Sequence, residues 1–188
     1  MSQKPTYLGL LNAIAVGEGR GHALLSAWQD ATSDAGLAEV LNVVAIREQE
    51  HSAAFTKRLC ELGFSVREKP SDQFDENLRL AASDASDVEK FRHLLGYEPD
   101  GPDQKKPKKP KEPKDDPLAN LFSDRTIDPQ TGALLGRFVA EERDSERRLR
   151  GALASICSDA PADPVLRDIA TRLDRLSATL EDLKKLRA

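Results

Sequence analysis

The sequence predicts an all-α protein: a four-helix bundle with an additional C-terminal helix. Three observations carry that expectation. Five segments place apolar residues at alternating steps of three and four, the spacing of one helix face. Aromatic residues are 5% of the chain and β-branched runs are scarce, which disfavours sheets. Glycines and Asp-Pro pairs stand at the segment ends, as helix stops and starts.

Segment A runs from about Pro5 to Thr32, with the stripe Tyr7, Leu11, Ile14, Glu18, Gly21, Leu25, Trp28. Its "AVGEGRGHALL" invites a phosphate-loop reading. No alternating strand precedes the glycines, and G-x-G-x-G is not the dinucleotide spacing, so a helix is expected. Each interior glycine costs that helix about 1 kcal/mol relative to alanine. Such a cost points to close backbone approach, or to room needed beside Glu18. Segment B, about Leu37 to Leu62, carries Leu37, Leu41, Val44, Glu48, His51, Phe55 and Leu62, and stops at Gly63. Segment C, about Ser71 to Leu95, carries Leu78, Ala81, Asp84, Val88, Phe91 and Leu95, and stops at Gly96. Segment D opens on Asp128-Pro129, with Asp as N-cap, and ends near Cys157. Its stripe is Leu135, Phe138, Glu142, Ser145, Leu149 and Ile156. Segment E opens on Asp163-Pro164 and holds Leu166, Ile169, Leu173, Leu176, Leu180 and Leu183 in strict 3-4 spacing. It reads as a fifth bundle helix or a dimerising coiled coil, which makes a homodimer or higher homo-oligomer the expected state.

Between C and D, Glu98 to Asp116 is rich in Pro and Lys and holds no large apolar residue. Such a tract cannot bury enough to offset its ordering entropy, so a linker is expected inside a helical domain of residues 1–160. Residues 161–188 form a separate amphipathic C-terminal helix in this reading. A net charge of −4 provides no global basic field for nucleic acid. No apolar run approaches membrane-spanning length, and the first residues lack an apolar signal core. Two cysteines make no disulfide framework, and a cytoplasmic location with reduced thiols is expected.

Chemistry enters where carboxylates interrupt the apolar stripes. Glu18 does so in A. Glu48 and His51 do so in B as Glu-x-x-His, an offset that sets carboxylate and imidazole one turn apart on one face. If A and B are antiparallel, Glu18 and Glu48 fall within about 3 Å of one level. A buried charge must be paired or bound to metal, and carboxylate with neutral imidazole suits iron or manganese. A satisfied polar core is the competing reading. Glu142 interrupts D, and Glu141 would exchange roles with it if the phase were one residue off. Asp84 is the acidic member of the C stripe, level with His51 if the B–C turn is short.

"EGRGHALLSAW", "IREQEHSAAFTKRLCELGF" and "TGALLGRFVAEERDSERRLR" resemble helices A, B and D of the rubrerythrin-like branch of the ferritin-like superfamily. No Cys-x-x-Cys pair is present, so the resemblance excludes a rubredoxin-type iron site. It implies a carboxylate-bridged metal protein, di-iron preferred and manganese the alternative, active in iron oxidation or peroxide handling. By resemblance, Glu18 is the helix A ligand, Glu48 and His51 the helix B pair, and Glu142 the helix D carboxylate. Ser145 stands where the family has a second histidine, and Asp84 is one methylene shorter than the family's helix C glutamate. Family bundles cross from B to C over their full length. Here about eight residues join B to C, so C either packs antiparallel to B or is partly the crossover. Two further readings follow: a half-site completed across a two-fold axis, and a ferritin-fold relic without a dinuclear centre that serves as a scaffold.

Overall fold

Tyr7 is where the helical stripe of segment A begins to bury itself, and it is also the first residue described. The computed structural model describes residues 7–99 and 127–158. Its elements are α1 (Leu8–Ala31), α2 (Ala35–Glu61), α3 (Asp72–Ala81), α4 (Asp87–Lys90) continued by a π-helical turn (Phe91–Leu95), and α5 (Pro129–Cys157). No strand occurs among the described residues, so the all-α expectation holds there. Three of these helices are long, and segment C supplies two short ones rather than a fourth long one. The chain divides into a unit Met1–Ala154 and a unit Ser155–Ala188. Of the second, only the end of α5 and Ser158 are described; segment E and most of the Pro/Lys tract lie outside the described residues.

The helix ends follow the sequence signals. Asp34 caps α2 by accepting from Leu37 N at 2.8 Å. Gly63 ends it at φ 83, and Phe64 N bonds back to Leu59 O at 2.9 Å, closing a Schellman turn. Asp128 caps α5, accepting from Gln130 N and Thr131 N at 3.0 Å each.

Side-chain pairs fix the directions. Ser52 Oγ donates to Ala15 O at 2.8 Å, and His22 Nδ1 lies 2.9 Å from Ala45 O, so α1 and α2 are antiparallel. Arg58 Nε donates to Thr131 Oγ1 at 2.8 Å, and Arg47 Nη1 to Asp144 Oδ2 at 2.6 Å, so α5 is antiparallel to α2. After Gly63 the chain runs along α1 in α1's own direction. Arg67 N donates to Asn12 Oδ1, the Arg20 guanidinium lies over the Phe74 ring, and Trp28 Nε1 donates to Asp87 Oδ1 at 2.7 Å. Segment C thus runs opposite to α2 but packs on α1, a course common to both placements expected for it.

One expectation fails here. Segment C is not one helix, and Asp84 is not a midlength stripe residue. α3 stops at Ala81, where Ser83 Oγ donates to Leu80 O at 2.8 Å and accepts from Ala85 N. The helix restarts through a capping box between Ser86 and Glu89. Asp84 therefore lies exposed in the bend between the two helices. Local side-chain bonds to backbone outcompeted the helical ladder there.

Two apolar layers result. Leu8, Leu11, Ile14, Phe55, Leu59 and Leu135 are buried in one. Leu25, Trp28, Leu37, Leu41 and Val44 are buried further along α1 and α2. Glu18 and His51, both buried, fall between the two.

Candidate metal centre

The antiparallel pairing of α1 and α2 puts Glu18 opposite His51, and α5 closes the third side. His51 Nδ1 lies 3.0 Å from Glu18 Oε2 and 3.6 Å from Glu142 Oε1. Its Nε2 lies 2.7 Å from Glu141 Oε2. Ligand atoms of Glu18, His51 and Glu142 all fall within 4.8 Å of one another. The His51 side chain is 3% exposed and meets the Phe138 ring in a T-shaped contact, centroid to centroid 5.1 Å; Phe138 in turn packs on Phe55. The ring's position is thus set by apolar packing as well as by its acidic partners.

Glu48 reaches the same cluster from α2, hydrogen-bonded to Glu18. Burial, with the nearby charges of Glu18 and Glu142, pushes its carboxyl up to about 9, so it holds a proton at neutral pH. Burial likewise raises Glu142, reinforced by Glu18. For His51, burial alone would favour the neutral ring. The bonds to Glu18 and Glu141 outweigh it, and the pKa is raised. Glu141 goes the other way: burial raises it, but His51 and Arg137 prevail and hold it low.

Glycines shape the pocket. A Cβ at Gly21 would run into the Glu48 carboxyl oxygen, and one at Gly19 would meet Ser52 Oγ at 3.1 Å. At Gly17 nothing lies within 4 Å. The room that the sequence suggested beside Glu18 is in fact room for Glu48.

The structure thus brings Glu18, Glu48, His51 and Glu142 together. Asp84 is left out. Asp87, three residues on, bonds Trp28 and Thr32, ten or more residues past Glu18 along α1, or about 15 Å. Glu141 and Glu142 both face His51, on different ring nitrogens, rather than one replacing the other. Sequence reasoning missed Arg47. It bonds Asp144, lies 3.3 Å from buried Ser145 through Nη1, and acts electrostatically on Glu142. Its position directly before Glu48 was the available signal.

One polar atom tests the fit of a metal. Glu142 Oε1 is buried and has no hydrogen-bond partner, which is costly unless something else supplies positive charge. It is the oxygen that faces His51 Nδ1. Two carboxylate oxygens and an imidazole nitrogen converging on one point fit a divalent first-row ion. An all-helical frame around a buried carboxylate–histidine cluster is the class that fold and site define. No family model matches the chain, and no curated protein or solved structure matches it.

Proposed function

We propose that this protein binds a redox-active divalent metal, iron with manganese as the alternative, through Glu18, His51 and Glu142, with Glu48 as a third carboxylate. The buried Glu142 Oε1 carries the reading, because no hydrogen bond reaches it, His51 Nδ1 stands off at 3.6 Å, and a bound cation would supply the missing bond. Imidazole and carboxylate together suit Fe and Mn. In this reading His51 ligates through Nδ1, and its Nε2–H donates to Glu141, which fixes the tautomer and orients the ring. Iron held there would supply one-electron exchange with oxygen or peroxide. The chain's residues would keep that chemistry between two apolar layers and away from bulk water. The likeness to ferritin-like carboxylate proteins belongs to this proposal and rests on Glu18, Glu48, His51 and Glu142.

The test is elemental analysis of aerobically purified protein, alongside His51→Ala. Metal bound by the wild type and lost in a folded His51→Ala supports the reading. Unchanged metal content in the folded variant overturns it. The second reading, a metal-free bundle that serves as a scaffold, draws on the protonation pattern. With Glu48 neutral and the bonds to Glu18 and Glu141 raising the pKa of His51, protons contribute to holding the cluster together. Wild-type protein without metal, even after incubation with ferrous iron under anaerobic conditions, favours that reading.

A further inference from the structure

We propose that Arg47 stands in for a second cation, so that the cluster takes one divalent ion per chain. This rests on the metal-centre reading above. Glu18, Glu48 and Glu142 meet at one place and, once ionised, bring three negative charges. Arg47, half-buried and directly before Glu48 in α2, brings one fixed positive charge to the side of the cluster where Asp144 and Ser145 face it. The balance is two negative charges, which one divalent ion neutralises. Glu141 is already matched by Arg137, Nε to Oε1 2.9 Å. A second divalent ion would leave excess positive charge in a site where burial already penalises charge.

The space is committed as well. Beyond Glu142 the α5 donors that face α2 are Asp144 and Ser145. Arg47 Nη1 takes both, Asp144 at 2.6 Å and Ser145 Oγ at 3.3 Å. Arg148 Nε also bonds Asp144, at 2.7 Å, and Arg147 pairs with it too. The carboxylate next to the cluster is therefore tied to three guanidinium groups. An ion seeking donors at this end would meet a guanidinium instead.

The experiment is Mn(II) titration of the chelator-stripped full chain, read as bound ions per chain and as the EPR signal of the bound Mn(II). Wild type should saturate at one Mn(II) with the spectrum of an isolated ion. Arg47→Gln removes the fixed charge, frees Ser145 and one bond of Asp144, and should gain a second, weaker equivalent. Combining it with Ser145→His should tighten that equivalent at least tenfold and give a spin-coupled spectrum. Arg47→Lys keeps the charge and should stay at one. Arg47→Met serves in place of Arg47→Gln if the latter does not fold. Two ions in the wild type overturn this inference and leave the metal centre standing. Half an ion per chain, shared between copies, overturns it too. No ion in the wild type overturns both. One ion in Arg47→Gln/Ser145→His overturns the role given to Arg47.

Discussion

Glu141 and Glu142 are adjacent in sequence yet serve His51 from different sides, and their substitutions should separate accordingly. Glu142 aims an unpartnered buried oxygen at the centre, while Glu141 accepts from the far ring nitrogen. Glu142→Gln removes an anionic ligand and should abolish metal-dependent stabilisation. Without metal the same change relieves repulsion against Glu18, so the apo variant should melt at or above the wild-type temperature. Glu141→Gln leaves the ligands in place and only weakens the orientation of the ring. Metal affinity should fall by about 10–100-fold with stoichiometry unchanged, the usual cost of losing such an outer partner. Thermal unfolding with chelator and with Mn(II), and equilibrium dialysis, measure both. Equal loss of affinity in the two variants would mean that the two carboxylates are not distinguished as the geometry has them. The residue level was partly legible in the sequence. Glu18, Glu48, His51 and Glu142 stood out because each broke an apolar stripe. Arg47 did not, because a charge off the stripe looks like any solvated helix surface until the partner helix is placed.

At the scale of the element, α1 carries helix-destabilising glycines for different reasons, and alanine substitution tells them apart. Gly17 faces open space, so Gly17→Ala should stabilise the helix by up to about 1 kcal/mol with metal binding unchanged. Gly21→Ala gains the same helix propensity, but its Cβ meets the end of the Glu48 side chain. That end can swing aside, so stability should hold, while metal affinity should drop at least tenfold because Glu48 has moved. Denaturant unfolding of the apo proteins and Mn(II) titration check the pair; a Gly21→Ala protein with wild-type affinity would remove Glu48 from the site. The same scale shows where periodicity misled. α1 was legible from its stripe alone, and α2 and α5 because stripe and end signals agreed: Gly63 at the stop of α2, Asp128 at the start of α5. Segment C kept its stripe through Ser83–Ser86, and the stripe concealed a break. The break did have a signal, the Ser86-x-x-Glu89 capping box in the middle of an apparent helix. Weighing that signal above the spacing would have removed Asp84 from the candidate ligands.

Over the whole molecule, groups with opposite shifts set how stability depends on pH. At the base of the bundle Asp128 joins three helices: it accepts from Tyr7 OH at 3.1 Å and Thr131 Oγ1 at 2.6 Å, and pairs with Arg58 Nη2 at 2.9 Å. Burial raises its pKa, but the bonds from Thr131 and Arg58 outweigh that and hold it well below the carboxylate range. Its contribution is therefore complete above the unfolded value and is lost as pH falls through the depressed one. Glu48 has the opposite sign. Raised to about 9 from an unfolded value of 4.5, it contributes fully below pH 4.5, and that contribution is lost as pH rises toward 9. His51, also raised, adds to the same alkaline loss, beginning near its unfolded value of 6.5. The apo protein should thus be most stable near pH 4–5 and weaken steadily from pH 5 to pH 9. Metal reverses the slope. The ligands must be deprotonated to bind, so affinity rises with pH and protons are released on binding. Metal-dependent stabilisation follows RT ln(1 + [L]/Kd), so the gap between loaded and apo curves should widen across the same window. Glu48→Gln cannot ionise, and should reduce the apo slope between pH 5 and pH 9 while leaving the acid limb, to which Asp128, Glu141 and Asp144 contribute. Urea unfolding at unit pH steps, with chelator and with saturating Mn(II), measures all of these curves. Apo stability that rises from pH 5 to pH 9 would show that Glu48 is not held protonated in the bundle. The crowded carboxylates would then have to be neutralised by a group other than the one the geometry identifies.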